Sequence, residues 1–294
     1  MEPDLADIRR IYWLSETVHN LNYFAPESRA ATDALGCKGL WMGYFGFRAA
    51  PLGAVGPDAA AALFVSFSPA MLRRALPDVW AVAPPERFIT ARMEVTDRLY
   101  RRIWGERVAD DPGIAELTQL TAEAVATLPT LGRPMAAANQ ALPLPGQPHL
   151  AFWQSLTTLR EHRGDAHVAL LVADGLDSVQ ALILACGYGK YPAEQMRSGR
   201  KWSEDEWRHG IDTLAGRGLV TADGALTGRG QAHRSRLEAE TDRLAAVPYQ
   251  ALGSEAAGRL AELLVPLARR HSEEPGYPVT PPVDMPDPYR VPAG

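Results

Sequence analysis

The residues best suited to chemistry share one face of a predicted helix that begins near Pro148. Steps of three and four residues place six side chains on this face: Trp153, Leu156, Arg160, Arg163, His167 and Leu170. The face is apolar at both ends and cationic in the middle. Arginines on a buried face need carboxylates, water or an anionic ligand beside them, because an unpaired buried charge is costly.

Two interpretations of this face stay open. A guanidinium group binds carboxylate, sulfate or phosphate through paired hydrogen bonds, which favours a site for a small anion. Three neighbouring side chains are then candidates for proton transfer to or from the ligand: Asp165, His162 and His167. The alternative is a salt-bridge network between two halves of the protein, made by Arg160, Arg163 and Asp165 with Glu161 or Asp97.

The first part of the chain repeats the pattern. Trp41, Tyr44 and Arg48 have the same spacing of three and four residues, and Arg48 corresponds to Arg160. If the halves pack about a pseudo-twofold axis, both arginines point into one central cleft. We therefore predict Arg48 and Tyr44 as ligand-binding residues together with Arg160 and Arg163.

A second polar run, His19-Asn20-Leu21-Asn22-Tyr23-Phe24, comes just before Pro26. Its histidine and asparagines either cap helix ends or orient a polar ligand in a pocket. On the second interpretation His19, Asn20 and Asn22 join the candidate ligand-binding residues.

Four motifs recur in the same order, which predicts an internal duplication. They are a tryptophan followed seven residues later by arginine, a Gly-x-Asp helix start, a later tryptophan, and Thr-Asp-Arg-Leu at 96–99 and 241–244. The connector 128–148 contains glycines, prolines and a short predicted helix around 135–141. We place a first half at 1–140, a second half at 141–271 and a proline-rich tail, expected to be an extended arm, at 272–294.

The second half has the pattern of a winged helix. Ser203 and Glu206 predict a capping box for a helix that ends near Ala215, and Asp223-Gly224 predicts the turn of a β-hairpin wing. Long helices are predicted at 227–244 and 254–271. The first half lacks a wing, because one long helix continues from residue 85 into Thr-Asp-Arg-Leu. The predicted fold class is mainly α, with tandem pseudo-duplicated winged-helix-like halves and one small hairpin wing.

Residues 202–207, 214–220, 223–230 and 238–244 resemble the winged-helix segment of MarR-type regulators. A closer resemblance, carried by residues 19–24, 43–45, 48–53 and 160–167, is to an actinobacterial helix-turn-helix family. It covers nearly the whole chain apart from its two ends. The resemblance implies a helix-turn-helix fold and leaves the activity open.

The sequence disfavours DNA as a partner. A recognition helix normally brings basic side chains to the phosphates, whereas this one opens with Ser203-Glu204-Asp205-Glu206. The predicted wing at 222–225 has an acid and no base, and the formal net charge of the chain is −5. Basic residues near this helix favour DNA binding instead: Arg197, Arg200 and Lys201 lie just upstream of it, and Arg208 lies within it.

Composition excludes several further classes. Hydrophobic residues make up 46% of the 294 residues and charged residues 22%, the balance of a globular protein. We expect a cytoplasmic protein without signal peptide or membrane span, and Cys37 and Cys186 as buried thiols. The motifs HExxH, GxSxG, GxGxxG and the P-loop are missing, so the sequence predicts no cofactor and no metal.

These patterns predict a small-molecule-binding protein of specialised metabolism, in the favoured form a cofactor-independent enzyme. It would bind an anionic or polar metabolite between the halves and catalyse elimination or cyclisation by acid–base chemistry. The alternative is a MarR-like DNA-binding transcriptional regulator that responds to the same ligand. A structural module that binds partners through the proline tail also stays open, and a homodimer is compatible with each.

Overall fold

The structure is a computed structural model that describes residues 2–189, 191–275, 285 and 287–289. The described residues form a mainly helical protein, with two short 3-10 helices at Ala50–Leu52 and Val108–Asp110. The α-helices in chain order are α1 (Leu5–Phe24), α2 (Pro26–Leu35), α3 (Leu40–Ala49), α4 (Pro57–Leu63), α5 (Pro69–Ala75), α6 (Asp78–Val82), α7 (Pro85–Trp104), α8 (Pro112–Ala126), α9 (Pro134–Gln140), α10 (Pro148–Ala173), α11 (Ser178–Gly187), α12 (Ala193–Gly199), α13 (Glu204–Gly216), α14 (Gly228–Ala245) and α15 (Val247–Ser272).

Helix α10 is the central element. It begins at Pro148, as the sequence predicts, because proline at the first helical position lacks only an N–H that has no partner there. It packs against α1, α7, α8, α9 and α14. A helix covered on so many sides carries buried residues around most of its circumference, which explains why polar side chains such as His149, Gln154 and Glu161 are buried on it.

The apolar residues form a main and a second hydrophobic cluster. The main cluster is built from α1, α3, α5, α7, α10 and α15, so it contains residues of both predicted halves. The second is smaller and joins the end of α10 to α11, α13 and α14, with Trp202 buried in it. Helix α15 packs on α1 and α8, which brings the two ends of the chain together.

Local sequence signals in the second half give the predicted helices. Ser203 and Glu206 form a reciprocal capping box at the start of α13, and Thr227 caps α14 through the backbone N–H of Gly230. Asp177 forms a second capping box at the start of α11. Gly253 breaks the helical geometry inside α15, so its long second segment follows the predicted position from 254.

The predicted β-hairpin wing is wrong. Val220 and Leu226 form a single antiparallel bridge, and no strand occurs among the described residues. The reason is length: Leu219 leaves the turn after α13, and Thr227 already caps α14, so the turn at Asp223-Gly224 has no room for paired strands.

The predicted extended arm lies largely outside the described residues. Helix α15 continues to Ser272, beyond the predicted boundary at 271. Of the described tail, Tyr289 packs edge-to-face on Trp13 with 5.5 Å between ring centroids, and the carbonyl of Pro288 accepts a hydrogen bond from Arg10 Nε at 3.0 Å. These residues therefore lie along α1.

In the described part of the chain, no helix taken singly has the length and apolar character needed to cross a membrane. Only α10 and α11 taken together, with a bend of 106° between them, meet that test of length and composition.

Candidate ligand-binding site

A cavity of about 200 Å³ lies between the predicted halves, with walls from α1, α3, α10, α11 and α14 and from residues 63–66. Five arginines and four carboxylates line it: Arg48, Arg160, Arg163, Arg200, Arg234, Glu16, Glu161, Asp165 and Glu238. Of the ten predicted site residues, five are in this wall: Arg48, Arg160, Arg163, Asp165 and His167. The structure therefore brings half of the predicted set together.

A larger open groove of about 850 Å³ lies elsewhere, between Trp104 and the Pro266 region of α15. It contains none of the predicted site residues. We place the candidate site in the smaller cavity because its chemistry is more specific: charged side chains of both signs converge there from distant parts of the chain.

One wall is the arginine–glutamate cluster, which consists of Arg48, Arg160 and Glu161. Arg48 Nη2 donates to both carboxylate oxygens of Glu161, at 3.0 and 3.2 Å, and Arg160 Nη1 donates to Oε1 at 2.9 Å. Arg160 also donates to Glu16 on α1 at 3.2 Å. The two arginines that the sequence predicts to be equivalent thus bind the same carboxylate.

Burial and charge oppose each other in this cluster. Burial would raise the pKa of the Glu161 carboxyl, but the positive charges of Arg160 and Arg48 outweigh burial and hold that pKa below its usual value. Arg48 also lies over the ring of Phe64, 4.5 Å from its centroid, and donates to the Tyr44 hydroxyl at 3.2 Å. Tyr44 therefore supports Arg48 from behind the cavity wall.

Arg163 forms the second ionic group of the wall. Its Nη2 donates to Asp242 at 2.8 Å and to Glu238 at 2.9 Å, both on α14. Asp242 in turn accepts from Arg9 Nε at 2.6 Å, and Glu238 accepts from Arg234. The salt-bridge network that the sequence left as an alternative is therefore present only in part: Arg160 binds Glu161, but Arg163 binds carboxylates of α14, and Asp165 forms no salt bridge within the described residues. Asp97, the other suggested partner, instead binds Arg101 and His149.

Asp165 is the acidic side chain of the wall that forms no salt bridge with an arginine of the described chain. Its Oδ2 accepts the backbone N–H of Ala136 at 2.9 Å. Burial raises the pKa of Asp165 to about 6, although the backbone hydrogen bonds of Ala136 and Met135 act in the opposite direction. Of the three predicted proton-transfer residues, Asp165 is the one whose pKa moves towards neutrality and which also reaches the cavity.

The two histidines of α10 are placed differently. His167 lines the cavity, and its Nδ1 is 3.0 Å from the Thr241 hydroxyl. His162 does not line it, and burial, assisted by the charge of Arg133, lowers the pKa of His162 to about 3. His162 is therefore uncharged near neutral pH and lies outside the ionic wall.

His19, Asn20 and Asn22 do not line the cavity. His19 is buried in the main cluster and stacks on Trp153, with ring centroids 5.2 Å apart. Its two ring nitrogens and both side-chain polar atoms of Asn22 are buried without a hydrogen-bond partner among the described residues. Neither side chain caps a helix, because both lie inside α1, whose N-cap is Asp4. Asn20 is partly buried on the same helix.

Arg200, at the end of α12, differs from the other arginines of the wall. Its guanidinium carbon lies 3.7 Å from the ring centroid of Phe67 and 5.4 Å from that of Trp41. Its Nη1 is buried without a hydrogen-bond partner, and within the described residues no carboxylate is close enough to form a salt bridge. Burial lowers the pKa of Arg200, but a guanidinium stays charged in proteins. Arg200 is thus a half-buried cation without a counter-ion in the described part of the chain.

The sequence indicated half of this site. Glu161 was suggested as a network partner, and Arg200 only as a possible phosphate contact. Glu16, Arg234 and Glu238 were not predicted, although they lie in charged helices whose pairing depends on how α1 and α14 meet α10. Among the described residues, no group of three or more His, Cys, Asp or Glu side chains is arranged to hold a metal ion.

The fold and site together define a mainly helical protein with a cavity lined by charged side chains. Residues 8–278 match the sequence model of a family described as a helix-turn-helix family, and the chain belongs to that family. No curated protein and no solved structure matches the chain. The predicted helix-turn-helix membership is thereby confirmed.

Proposed function

We propose that the protein binds a small anionic molecule in the cavity between its two halves. The observation that carries this proposal is Arg200. This cation is half-buried and has a buried donor without a partner, an arrangement that costs free energy, and an anionic ligand would remove that cost on binding.

The charge balance of the wall supports an anion. Five arginines face four carboxylates. Asp242 and Arg9, which pair just behind Arg163, add one charge of each sign and leave the balance unchanged. The raised pKa of Asp165 makes the wall more positive as pH falls towards 6. The cavity therefore favours a ligand with a negative charge.

Arg200→Gln tests the proposal, because glutamine keeps hydrogen-bonding capacity and removes the charge. We would measure binding of benzoate, sulfate and inorganic phosphate by isothermal titration calorimetry at constant ionic strength. At least one of these anions should bind the natural protein and bind Arg200→Gln roughly tenfold to hundredfold more weakly. The matched control is Arg73→Gln, since Arg73 pairs with Asp58 on the surface. No binding to the natural protein, or equal binding to both variants, would refute the proposal.

An acid–base enzyme that uses this cavity extends the proposal. Asp165 supports it, because a carboxyl group with a pKa near 6 exchanges protons readily near neutral pH. Arg48, Arg160 and Arg200 would stabilise negative charge that develops on a leaving group. If Asp165 is the base, Asp165→Asn binds the ligand but does not convert it, whereas unchanged conversion excludes Asp165.

The second candidate function is a ligand-responsive DNA-binding regulator, which the family membership favours. Arg200 supports a link between ligand and DNA, because it precedes Ser203, the N-cap of α13, by three residues. The surface of α13 opposes DNA binding: its exposed residues include Glu204, Asp205, Glu206 and Asp212.

Fluorescence anisotropy separates the two functions. We would titrate the protein against its own upstream DNA and against a scrambled duplex over a range of salt concentrations. Weak binding even at low salt is the result we expect from the acidic surface of α13. Selective, sub-micromolar binding would instead establish the regulator, with the cavity as its effector site.

The internal duplication and the MarR-like character of the second half also belong to this proposal. Two arrangements support them: Arg48 and Arg160 come from equivalent motifs and meet at Glu161, and the repeated Thr-Asp-Arg-Leu lies in α7 and in α14. On this basis the cavity is an interface between duplicated halves, and specialised metabolism is the setting we propose for its ligand.

A further inference from the structure

We infer that the ligand is a monocarboxylate with a compact apolar body, bound through the guanidinium group of Arg200. This inference rests on the proposed anion-binding function and deepens it by naming the class of ligand. Three features of the cavity lead to it: the number of unpaired charges, the geometry around Arg200, and the size and polarity of the wall.

Within the described wall a single arginine lacks a carboxylate partner, and this favours a ligand with a single negative charge. Arg48, Arg160, Arg163 and Arg234 each hydrogen-bond to at least one carboxylate, so only Arg200 lacks one in the described wall. A dianion would bring a second negative charge into a space already lined by Glu161 and Glu238. Like charges repel strongly in a partly buried site, so a monoanion fits this wall better than a phosphate dianion.

The surroundings of Arg200 favour a planar acceptor. The guanidinium carbon of Arg200 lies over the ring of Phe67, and the N–H donors of a guanidinium group lie in its own plane, so hydrogen bonds to a ligand leave through its edge. Two parallel bonds from one edge match the two oxygens of a carboxylate. Among the described residues no side-chain donor of Arg200 has a hydrogen-bond partner, so an edge of the guanidinium group is available to a ligand.

The remaining wall requires an apolar body. One side consists of Leu63, Phe64 and Val65, and the other includes Leu171, Ala181 and Leu182. The volume of about 200 Å³ is below that of cavities that hold drug-sized ligands, and it suits a molecule of roughly ten non-hydrogen atoms. A simple inorganic anion would leave this apolar surface uncovered.

A series of compounds with one phenyl body tests the inference. Benzoate, benzenesulfonate, phenylphosphonate and benzamide differ only in the polar group, and acetate has the carboxylate without the body. Calorimetric titration should give the tightest binding for benzoate. Phenylphosphonate, benzamide and acetate should each bind at least roughly tenfold more weakly, because each lacks one of the three matched features.

Two variants of Arg200 complete the test. Arg200→Lys keeps the charge and loses the paired donors. It should weaken the binding of benzoate at least roughly tenfold and reduce the protein's preference for benzoate over benzenesulfonate. Arg200→Gln should weaken the binding of every anion in the series. Thermal unfolding shows whether each variant is folded, and the lysine variant keeps the test valid if glutamine prevents folding.

The outcomes separate this inference from the proposed function. If phenylphosphonate or benzenesulfonate binds as tightly as benzoate and depends on Arg200, the cavity binds anions but the carboxylate assignment is wrong. If acetate binds as tightly as benzoate, the inference that the ligand has an apolar body is wrong. If no anion binds, or if the substitutions of Arg200 leave the affinity for anions unchanged, the proposed function is wrong together with this inference.

Discussion

Replacing Glu161 by Gln tests the arginine–glutamate cluster most directly. In the natural protein the carboxylate of Glu161 is nearly inaccessible to solvent and accepts hydrogen bonds from Arg48 and Arg160. Glutamine has almost the same volume and can still accept a hydrogen bond. The substitution therefore removes the charge and leaves the packing intact, so the buried guanidinium group of Arg48 and the half-buried one of Arg160 lose their shared counter-ion.

The expected loss of stability follows from that arrangement. Removing one partner of a buried ion pair costs about 3–5 kcal/mol, because the remaining charge stays buried. Glutamine retains one acceptor and Arg160 retains Glu16, so we expect a value near the lower end, about 3 kcal/mol. This is a large part of the ~5–15 kcal/mol by which most proteins are stable. For a chain of 294 residues the midpoint of thermal unfolding should fall by roughly 5 °C.

The pH dependence gives a second measure of the same contact. The pKa of Glu161 in the folded protein lies below the usual value of 4.5. Its stabilising contribution is therefore complete above pH 4.5 and is lost as pH falls through the lower, folded pKa. The difference in unfolding free energy between the natural protein and Glu161→Gln should be full at pH 7 and should narrow only in more acidic solution.

Urea unfolding followed by circular dichroism measures both effects. The matched control is Glu240→Gln, because Glu240 pairs with Arg243 on the exposed surface of α14 and should change stability by less than about 1 kcal/mol. If Glu161→Gln and Glu240→Gln lose the same small amount at pH 7, the arginine–glutamate cluster does not stabilise the fold, and our reasoning about its buried charges is wrong.

Three further predictions concern single positions. Asp165→Asn should raise the free energy of unfolding at pH 7 by about 1–3 kcal/mol, because a folded pKa of about 6 means that the ionised carboxylate is less stable in the folded protein than in the unfolded chain. Urea unfolding at several pH values should show this gain in stability vanishing near pH 4. A difference in stability that is negative, or that stays constant with pH, contradicts the prediction. Gly230→Ala would place a Cβ 1.9 Å from the carbonyl oxygen of Leu219, so it should lower the free energy of unfolding in urea by about 2–4 kcal/mol. The control Gly258→Ala has open space around it and should be neutral or slightly stabilising. Equal effects of the two substitutions refute the close contact at Gly230. Ser203→Ala removes the capping box of α13 and should cost about 1 kcal/mol, with faster amide exchange in the first turn of that helix; unchanged exchange contradicts the role of the cap.

Local signals explain the parts of the fold that the sequence predicts well. Ser203 with Glu206, Thr227, and Pro148 each act within one helical turn, so their effect can be read from neighbouring residues. The charged face of α10 is also a local pattern, and its residues Arg160 and Arg163 lie beside the cavity. What such patterns omit is the identity of the partner, which lies far along the chain.

Non-local packing explains what the sequence does not predict. His19 and Asn22 have polar side chains typical of a pocket, yet α1 places them in the main cluster because α15 and α10 cover that part of the helix. Arg200 lies in a charged segment whose sequence indicates exposure, and the approach of Phe67 and Trp41 covers part of its guanidinium group. The hairpin turn at Asp223-Gly224 is present, but the early start of α14 leaves no strand beside it.

The position of Arg200 connects the two candidate functions. The Arg200 carbonyl accepts the backbone N–H of Ser68 at 3.3 Å, and Trp202 Nε1 donates to the carbonyl of Ser66 at 3.4 Å. The segment that leads into α13 is therefore attached to Ser66, which lines the cavity, and to Ser68 just beyond it. A ligand on Arg200 would lie against this attachment in a binding protein, in an enzyme and in a regulator alike. The functions differ in what α13 contacts, and its acidic exposed surface is the feature that favours binding or catalysis over DNA recognition.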